Sequence, residues 1–176
     1  MYSLFWPISY KMMFPPNIKA ICFDAFGTLV EISEKRWPFK TLLEELPQNA
    51  AKDLRHRIMR EELSLEELLR KHESSLTKSL KLRLRSELAT EIASIKIRVG
   101  MNNLWEQIKN EGYKIALCSN LALDYGDPLL ELLPETPDKT ILSYKVGYIK
   151  PEHQIYQSVC DSLGLPPEAI LFSGDT

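Results

Sequence analysis

The stretch Ile21-Cys22-Phe23-Asp24-Ala25-Phe26-Gly27-Thr28-Leu29 decides the fold of this chain. Apolar residues lead up to Asp24 and a Gly-Thr turn follows, so the pattern predicts a buried strand over about residues 19–24 that ends on a carboxylate. In a parallel sheet, the carboxyl ends of the strands open onto the ligand crevice. Asp24 is therefore placed for chemistry rather than for packing, and it is the candidate nucleophile.

Composition indicates a globular chain with one core of ordinary size and a small accessory lobe. The chain has 176 residues, 44% of them hydrophobic, and a net charge of -2, which gives no electrostatic case for a nucleic-acid partner. Three cysteines do not suit a disulfide framework. Residues 1–16 are aromatic and rich in proline, but Pro7 and Lys11 interrupt any membrane span. We expect a cytoplasmic protein with a loose N-terminal extension and no membrane partner, either monomer or homodimer.

Between residues 33 and 98 the periodicity is helical, which predicts a helical insert after the first strand. Ser64 and Glu67 have the spacing of a capping box at a helix start, and Pro47 marks another start. Leucines recur every fourth residue in the last helix. These are Leu76, Leu80, Leu84 and Leu88.

From residue 101 onward, helices and strands alternate. The pattern predicts strands near 114–118, 140–143 and 169–172, with helices near 101–111 and 151–163 and a further helix broken by Gly126 and Pro128. Alternation of this kind is typical of a doubly wound parallel sheet, so the predicted class is α/β.

Polar groups follow four of the predicted strands and loops, and we expect them to meet at one edge of the sheet. A carboxylate nucleophile, a hydroxyl donor, a fixed cation and a second carboxylate suit cleavage of an anionic substrate through a covalent aspartyl ester. The four groups are Asp24 with Thr28, Ser119 with Asn120, Lys150 before Pro151, and Gly174 with Asp175.

Each of these residues also has a simpler interpretation. Asp24 alone could be a strand end that faces solvent, and Thr28 could stabilise its turn. Ser119 could be a helix N-cap, Lys150 an exposed loop cation and Asp175 a helix cap. The order of the motifs favours the functional interpretation.

Together the four motifs resemble the haloacid dehalogenase superfamily of hydrolases over residues 19–176. The matching segments are Phe23-Asp24-Ala25-Phe26-Gly27-Thr28-Leu29, Cys118-Ser119-Asn120, Gly147-Tyr148-Ile149-Lys150-Pro151 and Phe172-Ser173-Gly174-Asp175-Thr176. The resemblance implies a Rossmann-like core of residues 17–32 and 99–176. It implies a helical cap of residues 33–98 that excludes water and selects the substrate.

The same resemblance implies roles for the site residues. Asp24 would attack, Thr28 and Ser119 with its neighbour Asn120 would orient the transferred group, and Lys150 would clamp that group against the nucleophile. In metal-dependent members Mg²⁺ would be held by Asp24, Asp175 and the backbone carbonyl of Phe26, a set of oxygen ligands that suits this ion.

Phe26 leaves the reaction open between two chemistries. Phosphatases of the family have a second aspartate at this position as the general acid and base, whereas haloacid dehalogenases have an aromatic residue and release a halide that needs no proton. Gly174-Asp175-Thr176 resembles the metal-binding form of the phosphatases. We expect a hydrolase that acts on a small phosphorylated metabolite, with 2-haloacid dehalogenation as the alternative.

A third hypothesis concerns the C-terminus. Members of the family normally continue beyond the fourth motif with another acidic residue, a helix and a strand. Since the sequence stops at that motif, the hypothesis is that the chain is a truncated protein with weak or no activity.

Overall fold

The computed structural model of this chain describes residues 14–174. Most of the expected N-terminal extension and the predicted metal ligand Asp175 lie outside the described residues. Within them, the strands in chain order are β1 (Ala20–Phe23), β2 (Val30–Ile32), β3 (Ile95–Ile97), β4 (Lys114–Ser119), β5 (Lys139–Leu142) and β6 (Ile170–Ser173). The helices are α1 (Pro38–Glu45), α2 (Gln48–Arg57), α3 (Leu65–Lys71), α4 (Lys78–Ala93), α5 (Met101–Asn110), α6 (Gly126–Leu132), α7 (Ser143–Val146) and α8 (His153–Leu163).

The main sheet is parallel and has the strand order β5-β4-β1-β6. Side chains alternate between its two faces, as the two-residue period of a strand requires. On one face Ile21 and Ile115 pack in the same cluster as Trp105 of α5 and Leu129 of α6. On the other face, small side chains pack against α8. They are Ala20, Cys22, Ala116 and Cys118. The predicted α/β class with helices on both faces is confirmed.

Gly126 starts a helix rather than breaking one. A Cβ atom at this position would lie 2.3 Å from the hydroxyl oxygen of Tyr144, so any larger residue would have to displace the tyrosine. Pro128 lies in the first turn of α6, where its missing N–H costs no helical hydrogen bond. The sequence pattern shows both breakers but not the tyrosine that packs against the glycine.

The insert between β2 and β3 contains four helices, α1 to α4, with an apolar core of their own. The two chain segments that flank the insert lie side by side, because β2 and β3 pair antiparallel, with Val30 opposite Ile97. Sequence periodicity extended the helical region to residue 98, whereas residues 95–97 form a strand. Ile95 and Ile97 alternate with Lys96, and β-branched residues in that pattern favour a strand once a partner strand lies beside them.

Local signals inside the insert are confirmed. Ser64 is the N-cap of α3, and its hydroxyl accepts a hydrogen bond from the backbone N–H of Glu67 while the Glu67 carboxylate accepts one from the N–H of Ser64. In the leucine series, Leu84 and Leu88 of α4 are buried in the core of the insert; Leu76 is buried there too, but it precedes α4, whose first residue is Lys78. No helix within residues 14–174 is long and apolar enough to cross a membrane.

Candidate active site

Asp24 lies directly after β1, at the carboxyl edge of the main sheet, and its carboxylate has two side-chain partners. One oxygen, Oδ2, lies 2.7 Å from the ammonium Nζ of Lys150, and the other, Oδ1, accepts a 2.9 Å hydrogen bond from the hydroxyl of Ser119. The side chains of Lys150 and Asp24 are only 13% and 15% exposed. Three of the predicted site residues, Asp24, Ser119 and Lys150, therefore lie in one cluster.

The parallel strands explain why these residues meet. Phe23 stands opposite Leu117 of β4 and opposite Ser173 of β6, so β1 has a strand on each side. Ser119 is the last residue of β4, and the N–H of Asp24 donates to the carbonyl of Ser173 at 2.9 Å. Carboxyl ends of adjacent parallel strands lie at the same sheet edge, which brings the carboxylate and the hydroxyl together.

Asn120 holds the backbone of Lys150 through two hydrogen bonds. The side-chain oxygen of Asn120 accepts from the N–H of Lys150 at 2.8 Å, and its amide nitrogen donates to the Lys150 carbonyl at 3.1 Å. Asn120 therefore fixes the loop that presents the ammonium group to Asp24. Its contact with Lys150 is through the backbone, which the sequence pattern could not show.

Thr28 and Gly174 lie against Asp24 on the other side. A Cβ atom at Gly174 would be 2.6 Å from the Cβ of Asp24 and 3.3 Å from the hydroxyl oxygen of Thr28. The absence of a side chain thus lets the backbone of the fourth motif approach Asp24 closely. All five of the predicted catalytic residues lie at this edge of the sheet.

Phe26 belongs to an aromatic cluster that joins the sheet edge to the insert. Its ring meets the ring of Tyr125 edge to face, with centroids 6.0 Å apart, and Tyr125 also contacts Phe39 of α1 at 6.1 Å. Tyr125 lies in the loop after β4, a few residues beyond Ser119. The sequence assigns Tyr125 no role, because a single aromatic residue in a loop carries no pattern.

Cys22 and Cys118 lie next to the charged pair of Asp24 and Lys150. Together with that pair and Tyr156, they line a cavity of about 50 Å³. A hydrogen bond with Cys22 and the charge of Lys150 lower the pKa of Cys118, while the same pairing and burial raise the pKa of Cys22. Both thiols are buried in the sheet, as the sequence predicted for small apolar residues.

The donors present at this edge are compatible with Mg²⁺. The Asp24 carboxylate and the Phe26 backbone carbonyl offer oxygen atoms, and Mg²⁺ usually needs only one or two carboxylates beside water and substrate oxygens. Residues 14–174 contain no group of three or more acidic, histidine or cysteine side chains that could hold a metal by themselves. The backbone at Gly174 packs against Asp24, and Asp175, the remaining predicted ligand, lies outside the described residues.

Residues 18–176 match the family model described as haloacid dehalogenase-like hydrolase. The chain belongs to this family of hydrolases, as its four motifs predicted. None of the curated proteins compared with the chain matches it.

Solved structures with low sequence identity share the fold. A HAD family enzyme from Bacteroides thetaiotaomicron is 18% identical, with a TM-score of 0.64 over 90% of this chain and 85% of that chain. The same enzyme was crystallised with magnesium and inorganic phosphate. A predicted phosphoglycolate phosphatase from Haemophilus somnus is 21% identical, with a TM-score of 0.57 over 90% of this chain and 77% of its own. A dehalogenase is 22% identical, with a TM-score of 0.57 over 93% and 79% of the two chains.

Proposed function

We propose that this hydrolase cleaves a small phosphorylated metabolite through a covalent intermediate on Asp24. The observation that carries the proposal is the Asp24 carboxylate, held between the ammonium of Lys150 and the hydroxyl of Ser119. A buried carboxylate beside a fixed cation is suited to attack an anionic group, because the cation offsets the negative charge of the substrate.

The reaction has two steps. A carboxylate oxygen of Asp24 attacks phosphorus, and the bond from phosphorus to the leaving oxygen breaks as that oxygen takes the electron pair and a proton from water. Water then attacks the phosphorus of the aspartyl phosphate, which releases phosphate and a proton and restores the carboxylate. Ser119 and Thr28 orient the phosphoryl oxygens, and Lys150 neutralises their charge.

Mg²⁺ is the proposed cofactor. Asp24, the carbonyl of Phe26 and Asp175 would hold it, and its charge would help to neutralise the phosphoryl group. The Bacteroides complex with magnesium and phosphate supports this choice for the fold.

We further propose that residues 33–98 act as a cap over a core of residues 17–32 and 99–176. Arg60, after α2, donates to both carboxylate oxygens of Glu152 at 2.8 and 2.7 Å, two residues beyond Lys150. The N–H of Leu65 at the start of α3 donates to Asp124 at 2.9 Å. These contacts keep the insert beside the candidate site, where it can limit the access of water and substrate.

Phe26 supports a second candidate, the hydrolysis of a 2-haloacid. In this reaction Asp24 attacks the carbon that bears the halogen, the halide leaves with the bonding electrons, and water hydrolyses the resulting ester. A halide needs no proton, so the aromatic cluster of Phe26, Tyr125 and Phe39 would be an adequate surrounding.

Two assays on the purified chain separate the candidates. Release of phosphate from p-nitrophenyl phosphate that stops with EDTA supports the phosphatase. Release of halide from 2-chloropropionate that is insensitive to EDTA supports the dehalogenase. A folded chain that is silent in both assays contradicts both candidates.

Asp24→Asn tests the nucleophile in either case. The amide is a poor nucleophile, so we expect turnover to fall by at least about 10³-fold while the circular-dichroism spectrum is unchanged. Asp53→Asn, on the exposed surface of α2, is the matched control and should retain wild-type turnover. Turnover by Asp24→Asn within tenfold of the wild type, an interval of about 1.4 kcal/mol in the barrier, would rule out the nucleophile assignment.

A further inference from the structure

Glu91 is a buried carboxylate that the proposed chemistry does not use. It lies near the C-terminal end of α4, the last helix of the insert, and is only 3% exposed. Its carboxylate accepts three hydrogen bonds, two of them from the backbone N–H groups of Arg36 and Trp37 at 2.5 and 2.7 Å. The third comes from the hydroxyl of Tyr125 at 2.5 Å. A buried charge needs such partners, and here they come from two separate segments.

The first of these segments is the connection that leads from β2 into the insert. Ser33 and Glu34 bind Ser94 of the returning connection, through the Ser33 hydroxyl to the Ser94 carbonyl at 2.8 Å and through the Glu34 N–H to the Ser94 hydroxyl at 3.1 Å. Glu91 continues this series with its bonds to residues 36 and 37. The two connections of the insert are therefore fastened to each other by side chains beyond the end of the β2-β3 pair.

Trp37, in this connection, has a backbone conformation that its residue type disfavours. It has a φ of 60° and a ψ of 48°, a left-handed conformation that is rare for a large side chain, and its side chain is mostly exposed. A strained residue persists only when its surroundings impose the conformation. The bond from the Trp37 N–H to Glu91 is one of the contacts that hold the residue in this conformation.

The second segment is the loop after β4, which carries Tyr125. Burial and the neighbouring Glu91 raise the pKa of the Tyr125 hydroxyl, so it stays protonated and donates. The Tyr125 ring lies between Phe39 of the insert and Phe26, two residues beyond the nucleophile. A continuous series of contacts thus runs from Glu91 through Tyr125 to Phe26.

We propose that Glu91 is a positioning residue that couples the insert to the Asp24 site: one carboxylate fixes the connection at residues 36 and 37 and the Tyr125 ring that supports Phe26. Its catalytic consequence rests on the proposed function, whereas the coupling itself does not. Loss of Glu91 frees the connection and the ring together, so the turn after Asp24 loses its support.

Hydrogen exchange tests the coupling without any assay of activity. In Glu91→Ala, we expect the amides of residues 36 and 37 and those of the turn 27–30 to exchange at least about tenfold faster, since bonds to a charged acceptor are lost. Glu91→Gln should restore most of the protection, because its oxygen can still accept the two N–H groups and its amide can donate to the Tyr125 oxygen. Glu87→Ala, on the same helix, is the matched control, since Glu87 pairs with Arg83 of that helix.

Tyr125→Phe separates the two ends of the coupling. It keeps the bonds from Glu91 to the connection, so the amides 36 and 37 should remain protected while the turn 27–30 exchanges faster. This variant also keeps the proposal testable if Glu91→Ala does not fold. Unchanged exchange of the turn in Tyr125→Phe, or Gln at position 91 behaving like Ala, would overturn the coupling.

Kinetics with p-nitrophenyl phosphate and magnesium test the consequence. We expect kcat to fall by about tenfold in Glu91→Ala, with KM changed by less than about threefold, and to recover in Glu91→Gln. Wild-type kcat in a folded Glu91→Ala would refute the positioning role. A wild-type chain that releases no phosphate would count against the proposed function alone, and the exchange results would still decide the coupling.

Discussion

At the scale of single residues, Gly174 determines how closely the fourth motif approaches Asp24. A methyl group there would lie 2.6 Å from the Asp24 Cβ, and the backbone φ of 151° is itself unfavourable for other residues. We expect Gly174→Ala to displace Asp24 and to lower kcat/KM by about 10²-fold, because small shifts of a reacting group are costly. Steady-state kinetics on the substrate found for the wild type measure this loss.

A substitution at Gly112 is the control that separates the steric effect at Gly174 from the effect of backbone strain. Gly112 also has a positive φ, 83°, but a Cβ atom there would have no neighbour within 4 Å. Gly112→Ala should therefore cost about 1–2 kcal/mol of stability and leave kcat/KM unchanged. If Gly174→Ala reduced activity no more than Gly112→Ala does, close packing at Asp24 would have no part in function.

At the scale of elements, α3 depends on its capping box because it is short. The helix has seven residues, and isolated helices of this length are unstable in water. Ser64→Ala removes the acceptor for the Glu67 N–H, and we expect the free energy of unfolding to fall by about 1 kcal/mol. Urea denaturation followed by circular dichroism measures the change.

Ser74→Ala provides the comparison for this cap. Ser74 is exposed in the short turn after α3, so its replacement should change stability by less than about 0.5 kcal/mol. Equal effects of the two substitutions would mean that the capping box does not stabilise the insert.

At the scale of the whole molecule, the Arg60–Glu152 ion pair joins the insert to the core. The Arg60 guanidinium and the N–H of Ile149 hold the pKa of Glu152 below its ordinary value of 4.5. A carboxyl group whose pKa is lowered by folding stabilises the native state above the ordinary value, and this contribution is lost as the pH falls through the lowered pKa. The insert should therefore be attached more firmly at neutral than at acid pH.

Glu152→Gln makes this pH dependence measurable. We expect the variant to be less stable than the wild type at neutral pH, and the difference to shrink as the pH falls below the ordinary value of 4.5 and through the lowered pKa of Glu152. Glu44→Gln, on the exposed side of α1, controls for the change in net charge. A difference in urea midpoint that is constant with pH would contradict the contribution of the ion pair.

Much of the fold and site could be predicted because the signals are local. Strand and helix positions follow from periodicity, the start of α3 follows from Ser64 and Glu67, and the family follows from four short motifs. The convergence of Asp24 and Ser119 follows from strand order, since the ends of adjacent parallel strands share one edge. The pairing of β2 with β3 was missed because it depends on contacts between residues more than sixty positions apart.

The sequence by itself determined the α/β class, the family and which polar residues gather at the sheet edge. The reason is that the spacing of apolar residues and the order of the motifs are local properties of the chain. Only the tertiary structure decided what surrounds them. Glu91 and Tyr125 have no pattern of their own, and their bond forms because folding buries a carboxylate that then requires donors from whichever segments lie beside it. The same packing places the aromatic ring of Tyr125 against Phe26, two residues after Asp24.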